Sequence, residues 1–198
     1  MRTKRSHPLN LLAKNGNQGT HSVPLTIACL NTTGPVLELG CGIYSTTLLH
    51  SICGKHERKV HSVDHDERWL AKFSSLKTDW HTFEHVPGPS SNLYLNEFLY
   101  RFIPTRTRRI DLLWDQIGTG EQWGLVFVDH LPLARRVKEI SRLRSSANVF
   151  VIHNTDRIGN FLFSFWQYLD SFPYIYEFPA TPGTVVCSDT VNVRAFFE

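Results

Sequence analysis

The sequence predicts an α/β fold, a doubly wound sheet of seven mostly parallel strands with an antiparallel last strand. Short apolar runs alternate with segments of helical periodicity along most of the chain, and this alternation is typical of a parallel sheet covered by helices on both faces. Several of these runs end in an acidic or polar residue. The last two runs have no helical pattern between them, which predicts a closing C-terminal hairpin.

Each element has its own local signal. Pro24 suits the first turn of a helix that precedes the first strand, and Gly54 is expected to end the next helix. The pattern around Trp69, Leu70 and Phe73 has helical spacing. The predicted helices span residues 23–30, 46–53, 66–76, 110–117, 131–143 and 158–169. The predicted strands span residues 36–39, 59–64, 80–86, 123–129, 147–152, 174–178 and 184–197.

The 198 residues suffice for one domain with a sizeable core. Residues 1–20 are polar and lack periodicity, so they are expected to form a flexible N-terminal arm. Residues 21–198 are expected to form the single domain. Within it, residues 88–122 are the least regular part and are interpreted as an inserted region that shapes a substrate pocket or lid.

Composition narrows the class of protein. The formal net charge of +3 permits an anionic partner without requiring one. The four cysteines show no paired spacing, which disfavours a disulfide framework or a zinc site and favours a reducing, cytoplasmic location. No apolar run approaches the roughly 20 residues that a membrane span needs, and no long apolar region follows the basic N-terminus. The sequence therefore predicts no membrane association, and it leaves the oligomeric state open.

A glycine turn follows the first predicted strand, in the stretch Glu38-Leu39-Gly40-Cys41-Gly42. The glycines allow a sharp turn and leave room for a ligand against the backbone. Ser45 or Thr46 can cap the helix that follows. The turn therefore predicts a ligand site at the carboxyl edge of the sheet.

Polar residues end four of the predicted strands, and their clustering is the main functional signal. In an open parallel sheet, ligands bind outside the carboxyl ends of the strands, near the point where the strand order reverses. Asp64, at the end of the second strand, can accept hydrogen bonds from the two hydroxyls of a ribose. The four strand ends are Glu38, Asp64, Asp129 and the pair His153-Asn154.

The expected ligand is a nucleoside with a cationic end. A dinucleotide site needs a third glycine where this chain has Ser45, although a lone Gly-x-Gly is weak evidence in either direction. Glu38 adds negative charge where a pyrophosphate would lie. The same carboxylate suits an amino acid ammonium or a sulfonium.

At these residues the chain resembles the class I S-adenosylmethionine-dependent methyltransferases. The turn at residues 38–42 resembles their first motif, and His61-Ser62-Val63-Asp64-His65-Asp66-Glu67-Arg68-Trp69 is similar to the second-strand signature of one branch. The runs 127–129 and 151–157 resemble the fourth- and fifth-strand motifs of that branch. The resemblance covers residues 34–198 and implies a Rossmann-like fold with S-adenosyl-L-methionine as cofactor.

The resemblance also implies roles for individual residues. Gly40 and Gly42 would pack against the cofactor, and Asp64 would bind its ribose. Glu38 would help to hold the methionine ammonium, while His65 and the loop around Pro87 would lie near the adenine. The candidate cofactor-binding residues are Glu38, Gly40, Cys41, Gly42, Ser45, Thr46, Asp64, His65 and Asp129.

The residues that follow the fourth and fifth predicted strands differ from the motifs of several branches of this superfamily. The run Asp129-His130-Leu131-Pro132 lacks the Pro-Pro-aromatic pattern of nucleic acid amino-methyltransferases, and no Pro-Cys pair follows the fourth strand. Metal-dependent catechol-type enzymes have an Asp-Asn pair where this chain has His153-Asn154. Asp129, His153 and Asn154 could still bind a divalent ion, but losing a carboxylate weakens a magnesium site, so no metal is predicted. The candidate catalytic residues are Asp129, His130, His153 and Asn154. His130 or His153 could act as a general base, although a structural role is favoured for each histidine taken alone.

The sequence thus favours methyl transfer to oxygen or nitrogen of a small-molecule, sugar-like or peptide acceptor. A non-catalytic cofactor-binding or scaffold protein of the same fold is the main alternative. An NAD-dependent oxidoreductase is disfavoured by Ser45 and Glu38. Nucleic acid is possible but not favoured, because the basic segments 101–109 and 135–144 are interpreted as solvated surface, including a basic outer helix face.

Overall fold

The structure is a computed structural model that describes residues 20–88, 104–131, 133–155 and 165–198. The predicted arm, apart from Thr20, lies outside the described residues. The same holds for residues 89–103 of the predicted insertion and for residues 158–164 of the last predicted helix.

The described strands form one seven-stranded sheet with the order β3-β2-β1-β4-β5-β7-β6. Strands β1 to β5 pair in parallel, whereas β7 pairs antiparallel with both β5 and β6. The predicted fold class is therefore confirmed, including the antiparallel last strand. The strands are β1 Val36–Leu39, β2 Val60–Asp64, β3 His81–His85, β4 Trp123–Val128, β5 Ala147–His153, β6 Tyr174–Phe178 and β7 Thr184–Ser188.

Helices cover both faces of this sheet. The α-helices are α1 Ser22–Leu30, α2 Thr46–Lys55, α3 Glu67–Leu70, α4 Pro104–Trp114, α5 Leu133–Leu143 and α6 Phe165–Leu169. Short 3₁₀-helices span Ala71–Leu76, Arg144–Ser146 and Val193–Phe197. Within the described ranges, no helix combines the length and apolar character needed to cross a membrane.

Alternation along each strand divides the core into two layers. Leu37 and Leu39 of β1 pack with Trp114 and Leu143 on the face covered by α4, α5 and α6. Val36 packs on the other face, which α1, α2 and the C-terminal 3₁₀-helix cover. Strand β1 lies between β2 and β4, so the chain reverses its winding there. The ends of β1 and β4 consequently open onto the crevice in which ligands of such sheets bind.

Helix α2 continues past Gly54, the residue expected to end it. A Cβ atom on Gly54 would lie 2.9 Å from the Trp80 ring, so the glycine allows close packing of the helix against the segment before β3. The prediction of a helix end at Gly54 was wrong because packing, and not backbone conformation, requires this glycine.

The last strand is shorter than predicted and ends at Ser188 instead of residue 197. The hydroxyl of Ser188 accepts hydrogen bonds from the backbone N–H groups of Thr190, at 3.1 Å, and Val191, at 2.9 Å. This turn leads the chain away from the sheet and into the 3₁₀-helix Val193–Phe197. Hydrogen bonds from a side chain to nearby backbone groups compete with the backbone hydrogen bonds of a strand, and here they end the strand.

All four cysteines are free thiols, as their spacing suggested. Two of them nevertheless meet in the fold. The Sγ atoms of Cys29 on α1 and Cys53 on α2 lie 3.7 Å apart in the core. Their separation in sequence gave no sign of this contact.

The prediction of a basic outer face on α5 was wrong. The side chain of Arg135 is fully buried, and that of Arg136 is almost fully buried. Arg135 Nε lies 2.7 Å from Glu139 Oε1, and Arg135 also pairs with Asp111 and Asp115 of the α4 segment. The remaining predicted basic residues of this region also have acidic partners, namely Lys138 with Asp115, Arg142 with Glu139 and Arg144 with Asp189.

We expect the buried charge of Arg135 to be essential for packing α5 against α4. Arg135→Met should lower the free energy of unfolding by about 2–4 kcal/mol, because Glu139 would remain buried with Arg142 alone as its basic partner, and Asp111 and Asp115 would lose their contacts with Arg135. Lys138→Met is the matched control: Lys138 also contacts Asp115, but its side chain is 47% exposed. Its replacement should cost less than about 1 kcal/mol. Urea denaturation of both variants measures the difference, and equal losses would contradict this account.

Candidate active site at the carboxyl edge of the sheet

Gly40 fits its turn for a steric reason. Its φ is +95°, a conformation that residues with a Cβ rarely adopt. A Cβ atom there would lie 2.6 Å from the backbone nitrogen of His130, at the end of β4. Gly42 has no such conformation, and a Cβ there would meet only the Ser45 hydroxyl at 3.0 Å. The predicted turn is thus held closely against the neighbouring strand end.

Asp64 and Trp69 hold this turn from the β2 side. Asp64 Oδ2 accepts a hydrogen bond from the backbone N–H of Cys41 at 2.8 Å. The Trp69 indole donates to the Cys41 carbonyl at 2.7 Å. Asp64 Oδ1 accepts from the backbone N–H of Asp66 at 2.9 Å. The expected ribose-binding acid therefore lies directly beside the glycine turn, and Trp69 is a further residue that shapes the turn.

Glu38 lies beneath the turn and is fully buried. Its carboxylate accepts hydrogen bonds from Thr46 Oγ1 at 3.0 Å and Ser62 Oγ at 2.6 Å. Thr46 Oγ1 in turn accepts from the backbone N–H of Gly42 at 2.9 Å. Burial raises the pKa of Glu38 to about 7 despite hydrogen bonds that include one from Ser45. Glu38 thus supports the turn from inside the protein through Thr46.

Ser45 occupies the N-cap position of α2, but its side chain makes no capping hydrogen bond. The expectation that a hydroxyl caps this helix is not met at Ser45, whose side chain is directed to Glu38 instead. Thr46 is the first residue of the helix and bonds both Glu38 and Gly42. Both hydroxyls therefore stabilise the turn rather than the helix end alone.

His65 lies at the side of the crevice where the adenine is expected. Its Nδ1 is 3.3 Å from Asp64 Oδ1. A Cβ on Gly88 would lie 3.1 Å from the His65 ring, so the loop that follows Pro87 approaches this ring closely. The structure thus brings together two of the features that the resemblance assigned to the adenine.

Asp129 and His153 meet across the ends of β4 and β5. His153 Nδ1 shares a hydrogen bond with Asp129 Oδ1 at 3.1 Å. Arg136 Nη2 lies 3.0 Å from the same oxygen. Burial alone would raise the pKa of Asp129, but the charge of Arg136 and the bond to His153 outweigh it and hold the pKa below its ordinary value. Asp129 is therefore a carboxylate in this site.

Two residues that sequence reasoning missed, Thr20 and His21, complete this cluster. Thr20 Oγ1 shares a hydrogen bond with His153 Nε2 at 3.0 Å. The His21 ring lies 4.6 Å from the His153 ring and 5.5 Å from that of Phe127, between centroids. Burial and, next, the nearby His153 lower the pKa of His21 to about 4. No motif marks these residues, because they come from the segment that joins the predicted arm to the domain.

The structure does not bring His130 to this cluster. Its ring stacks on Trp114, with 4.9 Å between centroids, on the face that α4 covers. Both ring nitrogens are buried and have no hydrogen-bond partner among the described residues. Asn154 follows His153 with a left-handed φ of +58°, and it is half-buried. The four predicted catalytic residues thus separate into Asp129, His153 and Asn154 at the crevice, and His130 behind it.

A cavity of about 960 Å³ adjoins the end of β5. Thr155 and Thr184 contribute to its wall, and Thr184 is the residue paired with His153 in the sheet. Trp166, Asp170 and Glu177 also line it. The cavity therefore combines an aromatic surface with two carboxylates. Thr155 and Thr184 connect it to the end of β5, although neither Asp129 nor His153 is among the described residues that line it.

Comparison with solved structures identifies the fold. The SAH-bound methyltransferase PaMTH1 of Podospora anserina matches with a TM-score of 0.55 and 13% identity, over 83% of this chain and 75% of that one. Cofactor-bound Rv0187 from MTB matches with a TM-score of 0.55 and 16% identity, over 87% of this chain and 80% of that one. A protein of Staphylococcus aureus, provisionally assigned as a caffeoyl-CoA O-methyltransferase, matches with a TM-score of 0.53 and 11% identity, over 84% of this chain and 80% of that one.

No protein-family model matches the chain, and no curated protein matches it in sequence. The chain has the class I S-adenosylmethionine-dependent methyltransferase fold. Identities of this size establish the fold alone. Cofactor, acceptor and residue roles therefore depend on the site itself.

The raised pKa of Glu38 predicts a pH-dependent stability difference. Below about pH 4.5, Glu38 is protonated in both the folded and the unfolded chain, so its raised pKa does not lower the free energy of unfolding. Between about pH 4.5 and 7, Glu38 ionises in the unfolded chain but stays protonated in the folded one, which favours the unfolded chain. Stability is thus lost over this interval. Glu38→Gln stays neutral, and its amide can donate to Ser62. Relative to the wild type, the free energy of unfolding of the variant should therefore rise by roughly 3 kcal/mol between pH 4.5 and 7.5.

Urea denaturation of the Glu38→Gln variant and the wild type across this pH range measures that gain. Glu84→Gln, at a side chain that is 47% exposed, is the control and should show no comparable trend. If the difference in unfolding free energy between Glu38→Gln and the wild type is the same at all pH values, the pKa of Glu38 is not raised in the folded protein.

Proposed function

We propose that this chain is an S-adenosylmethionine-dependent methyltransferase that acts on oxygen or nitrogen of a small-molecule, sugar-like or peptide acceptor. One observation carries the proposal: the crevice beside β1 has the glycine turn and Asp64 on one side and the Asp129–His153 pair on the other. A sulfonium nucleoside between them would have its ribose at Asp64 and its methyl group toward Asp129. The fold shared with an SAH-bound and a cofactor-bound structure supports the choice of cofactor.

The cofactor half of the site favours a nucleoside over a dinucleotide. Cys41 and Gly42 both use their backbone N–H groups within the turn, to Asp64 and Thr46. A phosphate cradle needs such N–H groups free to donate to the ligand. Each oxygen of Asp64 already accepts one backbone hydrogen bond, but a carboxylate oxygen can accept a second, so Asp64 remains suited to the ribose hydroxyls.

The acceptor half favours a small, uncharged or cationic substrate. Asp170 and Glu177 line the cavity that Thr155 and Thr184 connect to the end of β5, and an acceptor held in that cavity would meet negative charge, which repels phosphate groups. The arginines of α5 that could have bound a nucleic acid backbone are engaged in ion pairs, Arg135 with Glu139 and Arg136 with Asp129. Nucleic acid is therefore a weaker candidate for the acceptor.

Methyl transfer is an in-line displacement at the sulfonium carbon, so the main task of the residues is to position and desolvate the two reactants. A base is needed only where the acceptor must lose a proton. His153 is the best placed of the predicted residues, because Asp129 holds its Nδ1. To take a proton from an acceptor, its Nε2 would have to exchange the hydrogen bond to Thr20 for one to the acceptor. We assign His130 a packing role against Trp114.

The ribose assignment of Asp64 can be tested by pairing a protein change with a ligand change. In the wild type, S-adenosylhomocysteine should bind about 10-fold or more tightly than its 2′-deoxyribose analogue, because a hydrogen bond to a charged group is lost. In Asp64→Asn this ratio should fall to less than about threefold. Isothermal titration gives the four affinities.

Asp79→Asn, at an exposed residue just before β3 and away from the carboxyl edge of the sheet, is the control and should keep the wild-type ratio. An unchanged ratio in Asp64→Asn would remove the ribose assignment. Absence of binding by S-adenosylmethionine at millimolar concentration would contradict the proposed function as a whole, and tighter binding of NAD would favour an oxidoreductase.

Catalysis is tested by transfer of a labelled methyl group from S-adenosylmethionine into fractionated cell extract. We expect label in the small-molecule or peptide fraction, reduced at least about 100-fold by Asp129→Asn, because Arg136 and His153 would lose the negative charge that they share. Asp79→Asn should transfer at the wild-type rate. Label in RNA or DNA would overturn the acceptor class. Cofactor binding without any transfer would favour the scaffold alternative.

A further inference from the structure

We propose that His21, Asp129 and His153 form a binding site for one divalent transition-metal ion. The three residues reach the same place from separate elements. His21 precedes α1, Asp129 follows β4, and His153 ends β5. The cluster lies in the acceptor half of the crevice, but its test needs neither cofactor nor acceptor and so stands apart from the proposed function.

The donor atoms are close enough for one ion. One ligand atom from each residue lies within 4.8 Å of the other two. Ligand atoms about 2.1 Å from a common ion lie about 3–3.5 Å from one another, so the three need to approach by less than about 2 Å. Small rotations of two imidazole rings and a carboxylate provide a movement of this size without a change of backbone.

An unsatisfied nitrogen gives an independent reason for a ligand at this place. His21 is only 8% exposed, and its Nδ1 is buried without a hydrogen-bond partner among the described residues. A buried polar atom of this kind costs free energy unless something binds it. A metal ion satisfies an imidazole nitrogen directly.

The surroundings hold the other two ligands in place. Arg136 contacts Asp129 Oδ1, while Oδ2 accepts no hydrogen bond within the described part of the chain. His153 Nε2 shares a bond with Thr20, which can fix the ring, and Nδ1 would exchange its bond to Asp129 for a bond to the ion. Supporting bonds of this type orient ligands in metal sites.

The ligand set selects the kind of ion. Two imidazoles and one carboxylate suit Zn²⁺, Fe²⁺, Co²⁺ or Mn²⁺, whereas Mg²⁺ and Ca²⁺ prefer oxygen ligands. The loss of a carboxylate at His153 argued against magnesium from the sequence; His21, which no motif marked, supplies the third ligand for a different ion. The positive charge of Arg136 beside Asp129 weakens binding, so we expect lower affinity than in a site with two carboxylates.

Such an ion would give His153 a different task from that of a base. Three protein ligands leave coordination positions for water or for an oxygen of the acceptor. An ion at that position favours loss of a proton from the oxygen it binds. His153 would then hold the ion, and the acceptor would be oriented by it.

The test uses the untagged protein, treated with a chelator and dialysed, and Co²⁺ as a spectroscopic probe. We expect one Co²⁺ per chain, with visible absorption bands that Zn²⁺ abolishes by competition. His21→Phe keeps a ring against Phe127 but removes the nitrogens. It should weaken Co²⁺ binding by more than about 100-fold, as should Asp129→Asn. His56→Gln, at an exposed histidine outside the cluster, should bind as the wild type does.

Circular dichroism and thermal unfolding confirm that each variant is folded, and His153→Gln replaces His21→Phe if the latter does not fold. Wild-type affinity in His21→Phe or in Asp129→Asn would overturn the proposal, as would the absence of a one-to-one complex with Co²⁺ or Zn²⁺. Loss of binding in His56→Gln as well would show that the ion binds surface histidines instead.

Discussion

The guanidinium of Arg136 joins the two strand ends that form the acceptor half of the crevice. It donates to the backbone carbonyls of His130 at 2.7 Å, Asp129 at 2.6 Å and His153 at 2.9 Å, and it contacts the Asp129 carboxylate. These carbonyls lie where the ladder between β4 and β5 ends and would otherwise be buried without partners. Only the planar fork of an arginine reaches so many acceptors at once. The position of Asp129 relative to His153 therefore depends on a residue of α5 that takes no part in the sheet.

Much of the fold was predictable because each buried strand of a parallel sheet is a continuous apolar run. Residues 123–129 show this most clearly, and β4 occupies residues 123–128. Element ends were less predictable. Gly54 looks like a helix end in one dimension, but Trp80 packs against it from a distant part of the chain. Ser188 ends β7 through a hydroxyl that bonds nearby backbone groups, a choice that residue type alone does not fix.

The site was predictable to the extent that it lies at strand ends. Glu38, Asp64, Asp129 and His153 follow or end neighbouring strands, so a parallel sheet brings them to one edge. Arg136 was misassigned because an amphipathic pattern does not show whether a charged side chain has a buried partner. His130 was misplaced for a related reason: neighbouring residues at a strand end project to opposite faces, and only Asp129 faces His153. The position of His21 beside His153 results entirely from tertiary packing, so no sequence pattern predicts it.

The carboxyl groups of Glu38 and Asp129 differ in their partners, and this difference divides the site. Glu38 is surrounded by hydroxyls, so burial dominates and raises its pKa to about 7. Asp129 has a guanidinium at 3.0 Å, and its pKa falls below its ordinary value. A group that is partly neutral near pH 7 serves as a hydrogen-bonded support for the glycine turn but attracts a cation weakly. A permanently ionised group on the opposite side can attract the positive charge of a sulfonium or of a metal ion. The cofactor half thus depends on shape and hydrogen bonds, and the acceptor half depends on charge.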